Sequence, residues 1–309
     1  MFTLKEEHLK RLCQLNFFPI PSDDMIFFGL RGCLPIQVDK HEFSNEHQVE
    51  VVETDYIHPR CTFGQWCPGK GIALFPGSTI PHKKHVRSSL RRNGQGTNQL
   101  MTGYYDNYRK GMHKAGRPTG HSAFRQDYKL PVRRTGDDLD YDQEDRVEFT
   151  RPYDNLHAGW CMGIDHDNYA SAGCQVVVGY PKCAKRENNG RSLPDSGPWK
   201  VFKGNAYNIT QKAFYYILLL GRDAQRIAMA DTERMQSRLR YGSKGDLVKE
   251  LQEKLEEEGF YDDKIDGDFG GGTLRAVLDF QTANFGSDAD DGIVGPTTAS
   301  ALGLNLPYL

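Results

Sequence analysis

The sequence lacks a long apolar run. Its longest, AFYYILLLG from Ala213, is far short of the ~20 residues that cross a bilayer, so no membrane span is expected. It also lacks any CxxC pair, and its seven cysteines are an odd number in a chain of 309 residues. No zinc pattern and no disulfide framework are therefore expected, although a local pair such as Cys61 with Cys67 stays open. The first residues, MFTLKEEHLKRLCQLNFF, have neither the basic and apolar regions nor the cleavage site of a secretory signal. If the protein works outside the cytoplasm, lysis or a dedicated delivery system is expected to bring it there. Finally, no histidine follows Cys174: all ten come before it, the last being His166.

What is present describes a loop-rich globular chain. Apolar residues make up 38% and charged ones 26%, with 32 glycines and 15 prolines. The length suits two unequal domains better than one core. The net charge of −2 hides an asymmetry: residues 241–309 carry five Lys/Arg against fourteen Asp/Glu, so this tail is near −9 and the remainder near +7. Such a contrast places a domain boundary near residue 240.

The tail contains a repeat. DGDFGGGTLRAV from Asp266 and DGIVGPTTASAL from Asp291 align without a gap, 25 residues apart, as Asp-Gly-x-apolar-Gly-x-x-Thr-x-x-Ala-apolar. Ahead of them, GDLVKELQEKLEEEGFY sets Val248, Leu251 and Leu255 on one helical face and Gly259 at the helix end. In each repeat the Asp-Gly makes a tight turn, and Thr273 or Thr298 stands at an N-cap or in the first turn of a helix. Three helices around Leu251, Leu255, Phe269, Val277, Phe280, Val294 and Leu302 are expected. This segment closely resembles the type 1 peptidoglycan-binding domain family over about 65 residues. The resemblance implies a wall-binding module without chemistry of its own. Its acidic character implies recognition by a groove rather than by long-range attraction to a polyanionic wall.

In the larger part, NLHAGWCMGIDHDNYASAGCQVVVGYP (Asn155 to Pro181) carries the candidate chemistry. Because every histidine precedes Cys174, a papain-like order of cysteine before histidine is excluded for this residue. Cys13, Cys33, Cys61 and Cys67 keep that order open, with His113, His121 or His157 downstream. A cysteine that attacks an amide needs a base for a thiol of pKa ~8.5, an open approach, and backbone N–H groups for the oxyanion. Ala172 and Gly173 leave the approach open. Val176 to Val178 reads as a buried strand that would hold Cys174 at its start, and His157 lies seventeen residues before it. The alternative is a buried thiol beside an ordinary histidine.

The same stretch resembles L,D-transpeptidase (YkuD-type) catalytic domains, which carry a histidine, a spacer, and then Ser/Thr-His-Gly-Cys-x-Arg/Asn. This chain has His157, thirteen residues, then Ser171-Ala172-Gly173-Cys174. LFPGSTIP (Leu74 to Pro81) and NQLMTGYYDNYRKGMH (Asn98 to His113) are similar to the family's upstream segments. Ala172 departs from the family's histidine, and Val176 from its Arg or Asn. The likeness is to a divergent branch carrying HxG and SAGCQ. It implies a β-sandwich catalytic fold in an α+β protein, with no cofactor and no metal. It also implies Cys174 as nucleophile, His157 as base, the Gly173 and Cys174 amides as oxyanion hole, and Ser171 orienting the turn or the imidazole. Arg125, Gln175 and Tyr104 become candidate substrate contacts, Gln175 being equally open to a structural role. His166, between two aspartates, is a weaker candidate base.

The resulting division is a catalytic domain over 1–221, a helical linker over 222–240, and a peptidoglycan-binding domain over 241–309. The expected function is cleavage or transfer of stem-peptide L,D bonds through a cysteine thioester at the cell wall or periplasm, as in a phage-type lysin or antibacterial effector. Peptidoglycan is the expected partner, and nucleic acid is not: the basic stretch PHKKHVRSSLRRNGQG lacks interleaved aromatics and reads as a solvated loop. RTGDDLDYDQEDRVEF lacks the EF-hand spacing and reads as a surface loop. Trp199 and Phe202 are assigned to the core. Two rival readings remain: a wall hydrolase of another class, such as a glycosidase using carboxylates of that acidic stretch, and a non-catalytic wall-binding or particle-structural protein.

Overall fold

The structure, a computed structural model, describes every residue except Gln95, Asp137, Gln143, Glu144, Asp231 and Thr232, and leaves aside the side chains of Asn93 and Asn107. The chain begins with β1 (Phe2–Lys5), α1 (Glu6–Leu15), β2 (Ile26–Arg31), β3 (Cys33–Pro35), β4 (Glu46–Val51), β5 (Cys61–Cys67), β6 (Gly71–Ser78) and α2 (Lys83–Asn93). Its middle is β-rich: β7 (Asn98–Leu100), β8 (Gly103–His113), β9 (His121–Arg125), β10 (Leu130–Arg134), β11 (Arg146–Thr150), β12 (Leu156–Ala158) and β13 (Gln175–Val177). A short hairpin of β14 (Glu187–Asn188) and β15 (Arg191–Ser192) leads to α3 (Pro198–Tyr207) and β16 (Ala213–Leu220). The remainder is helical, with α4 (Gly221–Ala230), α5 (Asp246–Glu257), α6 (Gly271–Phe285) and α7 (Pro296–Ala301).

The α+β, β-rich class is as expected. Where the resemblance implied a sandwich, eight strands close on themselves in the order β12-β13-β6-β5-β2-β16-β8-β9. Closure rests on the pairing of Leu156 with Phe124 between β12 and β9. β2 and β16 lie side by side in parallel, Phe27 opposite Tyr216. Both of their faces are buried, as their near-continuous apolar sequences require. Phe27, Phe214, Tyr216 and Leu218 enter one core together with Trp199 and Phe202 of α3. Their alternates Phe28, Leu30, Ile217 and Leu219 enter a second core with Leu9 and Leu12 of α1 and Ile227 of α4.

Two expectations are corrected. The basic stretch is not a loop: Lys83–Asn93 is a helix capped by the His82 ring, which accepts from the Lys84 N–H, and ended by Gly94 in the left-handed region (φ 66°). No proline or glycine interrupts it, and Val86 with Ser89 turns a buried stripe inward. Gln95, at its far end, lies outside the described residues. The acidic stretch is a loop only as far as Asp145, after which β11 begins, pairing with β10; Asp137, Gln143 and Glu144 of it are not described. Cys61 and Cys67 stand at opposite ends of one strand, about 20 Å apart at ~3.3 Å per residue, so they form no disulfide.

The tail is the expected three-helix unit, and all seven expected core residues are buried in it. The repeat has a physical basis. Gln252 of α5 accepts the Asp266 and Gly267 N–H groups and donates to the Asp266 carboxylate, the Asp268 carbonyl and the Thr273 hydroxyl. Gln281 of α6 repeats this on the second turn, accepting from Gly292 N–H and donating to Asp291, Ile293 and Thr298. Each buried glutamine ties an Asp-Gly turn to the helix that follows it.

The expected helical linker over 222–240 is helical only as far as Ala230; from Glu233 to Arg240 the chain runs without helix and is held against both sides. Leu239 exchanges backbone hydrogen bonds with Val294 and is buried in the tail core. Arg238 N–H, Lys244 N–H and the Ser243 hydroxyl donate to the carbonyls of Leu15, Phe17 and Asn16. Arg240, 2% exposed, donates to the Thr102 hydroxyl and faces Asp223. Replacing either glutamine by leucine (Gln252→Leu or Gln281→Leu) strands several buried polar groups at ~1–3 kcal/mol each. Chemical denaturation should show a loss of about 3 kcal/mol or more, and a near-neutral result would refute the lock.

Candidate functional site

Three strand ends converge on Cys174. β12 and β13 run parallel with His157 opposite Val176, which sets His157 beside the turn carrying Cys174. β8 ends at His113 and β9 starts at His121, paired across the strands. The rings of His113 and His157 stack with centroids 4.1 Å apart at 20°, and His121 packs within 5.4 Å of both. A ring nitrogen of His113, one of His157 and the Cys174 sulfur all lie within 4.8 Å of one another.

Hydrogen bonds define the tautomers. His157 Nδ1 is 2.8 Å from the Ala158 carbonyl, which only accepts, so Nδ1 carries the proton. Its Nε2, buried and without a partner among the described residues, keeps a free lone pair. His113 is the opposite. Asn155 Oδ1 is occupied by the Gln126 N–H, so Asn155 Nδ2 donates to His113 Nδ1 at 2.9 Å, and His113 carries its proton on Nε2. The cluster thus offers one imidazole as acceptor and one as donor. Two imidazoles and a thiol are zinc-type donors, but His113 already lends its lone pair to Asn155, and the set reads as a thiol–imidazole pair.

Burial holds this pair neutral. Desolvation, then His113 and His121, push His157 well below the ordinary imidazole range, and desolvation takes His113 down to about 3. The half-buried Cys174 thiol is pushed up by desolvation and then by Asp154. Asp154, itself raised to about 8 by burial, receives a hydrogen bond from Asn98 Nδ2. Exposed Lys114 opposes the push on Cys174 but adds to the lowering of His113, His121 and His157.

The turn itself needs its residues. Gly173 has φ 133°, and a Cβ there would meet Asp154 Oδ1 at 2.7 Å and Asn98 Cβ at 2.9 Å. Ser171 Oγ donates to the Cys174 carbonyl at 2.7 Å and accepts the Gly173 N–H at 3.2 Å. Ser171 therefore orients the turn rather than the imidazole, and of the two amides expected to form an oxyanion hole the Gly173 N–H is occupied, while the Cys174 N–H has no hydrogen bond among the described residues. Tyr153, 53% exposed with φ 56°, stands at the mouth with its carbonyl 4.0 Å from the sulfur.

Other expected contacts are not brought here. Tyr104 stacks on Tyr215 and packs at a tilt against Phe18 in the second core. Tyr105 faces the barrel core, whereas Tyr104, at the start of β8, is taken up by this second core, nine residues along the strand from His113. Gln175 is fully buried, donating to the Gly173 carbonyl and accepting from Tyr216 OH, a structural role. Arg125 lies exposed opposite Arg109, while the adjacent Gln126 is the residue that reaches Asn155. His166 sits in the 160s loop, contacting Met162 N–H. Cys13, Cys33 and Cys61 are buried thiols raised by desolvation, the first two to about 12. His113, Asn155, Asp154 and Lys114 were not assigned from sequence for Cys174. Only the position of His113 in the segment resembling the family's Tyr region hinted at it.

The model of the peptidoglycan binding domain family matches residues 244–302. Among curated proteins, the spore cortex-lytic enzyme of Bacillus subtilis (strain 168) is 48% identical over 61 residues, 20% of this chain and 20% of that protein. Those of Halalkalibacterium halodurans and Oceanobacillus iheyensis are each 45% identical over 64 residues, covering 21% of this chain and 19% and 22% of theirs. The chain thus spans about a fifth of the length of these relatives, and the likeness lies in the tail. No solved structure matches with significance. The tail is a peptidoglycan-binding domain, which supports peptidoglycan as partner, and no described helix is long and apolar enough to cross a membrane.

The raised Asp154 pKa has a testable sign. Folded Asp154 keeps its proton up to about pH 8, whereas the unfolded carboxyl releases it near 3.8. Its contribution to stability therefore falls as pH rises through that window. Asp154→Asn should gain thermal stability relative to wild type progressively from pH 4 to pH 8, by on the order of a few kcal/mol. A pH-independent difference would refute a buried neutral carboxyl.

Proposed function

We propose that the protein is a peptidoglycan-active cysteine enzyme that cleaves or transfers stem-peptide bonds, with Cys174 as nucleophile and His157 as general base. The observation that carries this reading is the free, buried Nε2 of His157 beside a half-buried thiol, in a chain that also holds a wall-binding domain. The proposed division is catalytic over 1–221, connecting over 222–240 and wall-binding over 241–309. The transpeptidase-like ancestry of the barrel and the choice of an L,D bond rest on the resemblance of His157 and Ser171 to Cys174.

Both groups rest neutral, so proton transfer accompanies attack and no thiolate is stored beforehand. The Cys174 S–H proton passes to His157 Nε2 as the S–C bond forms at the carbonyl. Burial opposes the imidazolium, and the Nδ1–H bond to the Ala158 carbonyl favours it. The tetrahedral oxyanion takes the Cys174 N–H. As the C–N bond breaks, His157 returns the proton to the leaving amine, and a thioester remains. Water or a second amine, deprotonated by His157, then attacks the thioester and releases Cys174. Stacked His113, fixed by Asn155, keeps the His157 ring in plane.

The relatives that share the tail are named lytic enzymes, which favours hydrolysis at the wall as in a phage-type lysin or effector. A second reading, a wall-binding protein without chemistry, is favoured by the upward push on the Cys174 thiol.

Digestion of purified sacculi, with muropeptides read by mass spectrometry, separates these readings. Wild type should release new products, and Cys174→Ala and His157→Gln should each lose at least ~10²-fold in rate. Identical products from wild type and Cys174→Ala would move the chemistry elsewhere. Retained binding without products would leave only the wall-binding reading.

A further inference from the structure

A polar depression of about 370 Å³ opens beside the Cys174 turn, between the end of α2 and β10. Ala172, two residues before the sulfur, forms part of its wall, together with Asn98, Ser88, His85, Arg92 and Arg134. No acidic side chain lines it among the described residues. Arg134 shares Glu148 with Arg146, so two guanidinium groups divide one carboxylate and leave positive charge. Arg92 is exposed in the last turn of α2 and has no ion pair among the described residues. Asn98 is 8% exposed, and its Oδ1 is a buried acceptor without a partner among the described residues. Asp154, bonded to Asn98 behind it, is held protonated by burial and adds little negative charge.

We propose that this depression is a carboxylate-binding subsite of the substrate peptide, with Arg92 and Arg134 holding the carboxylate and Asn98 Oδ1 accepting a neighbouring N–H. The proposal rests on the reading of Cys174 as nucleophile for its register. Two residues of extended chain reach at most ~7 Å, so a peptide whose reacting carbonyl lies at Cys174 delivers a carboxylate one or two residues further on into the depression. A planar guanidinium pair suits a carboxylate, and the absence of aromatic lining argues against a base or sugar stacked there. The surroundings are cationic: Lys84, His82 and Lys114 add to burial in pushing His85 down to about 4. The subsite also answers a departure noted in the sequence. Val176 is buried where the related family has Arg or Asn, and here α2 and β10 supply the cation instead.

The test uses full-length Cys174→Ala protein, which binds without turnover. Two probes are titrated by NMR: the stem tetrapeptide purified from sacculi with a free C-terminal carboxylate, and the same peptide as its C-terminal carboxamide. The acid should bind at least ~10-fold more tightly than the amide, in keeping with a charge-assisted pair. Adding Arg92→Gln, an exposed change that leaves folding intact, should bring the acid close to the amide, while binding to sacculi through the tail is unchanged. Equal affinities, no binding of either probe, or an Arg92→Gln titration matching the parent would each overturn the subsite. Acid selectivity retained in a protein whose wild type releases no muropeptides would instead count against the catalytic reading and leave the subsite standing.

Discussion

The parallel pairing of β12 with β13 is the constraint on which the rest depends. Parallel neighbours cannot be joined by a tight turn, so the chain must leave β12, cross, and return before β13 begins. The connection is pinned where it turns: Ala170 N–H bonds the Gly159 carbonyl, His82 N–H bonds the Ser171 carbonyl, and Tyr169 OH reaches the Pro81 carbonyl. Cys161, Tyr169, Val176 and Val178 pack as a small core under it. One register, His157 opposite Val176, then brings the imidazole to the thiol. A slip of one residue would turn His157 to the other face.

Desolvation is the second determinant. Three histidines, a carboxyl and a thiol share a small volume at the barrel end, and each is held in its neutral form. This leaves a bare lone pair on His157 without a stored charge, and makes Lys114 and the arginines of the neighbouring depression the fixed charges that an anionic peptide would meet. The left-handed backbone of Tyr153 and Gly173 flanks the sulfur on both sides, which fits a site held by its surroundings rather than by local preference.

The wall-binding domain is not loosely appended. The strap from Gln236 to Lys244 bonds to the tail through Leu239 and Tyr308 and to the end of α1 through Arg238, Ser243 and Lys244. Arg133 of β10 reaches the Asp290 carbonyl from the other side. Phe149 and Met101 lie against the tail core. The anchor and the cysteine are therefore parts of one packed body, and β10 contributes both to the junction and, through Arg134, to the depression beside Cys174.

Reading the sequence alone was sufficient for whatever depends on neighbours along the chain. The tail repeat, its core positions and the Ser171–Cys174 turn were legible because helix periodicity, Asp-Gly turns and a tight glycine step are local. His157 was legible only because a resemblance supplied its partner. The histidine at the end of β8, the Asn155 that sets its tautomer, and the buried Asp154 were not, since side-chain contacts across 40 residues or more leave no local trace. Gln175 was misplaced because the face of a strand that turns inward is chosen by barrel closure, and Tyr104 because packing against α1 and α4 claims its ring. Barrel closure and burial decided protonation, because a thiol or imidazole has its ordinary pKa until its neighbours remove the water around it.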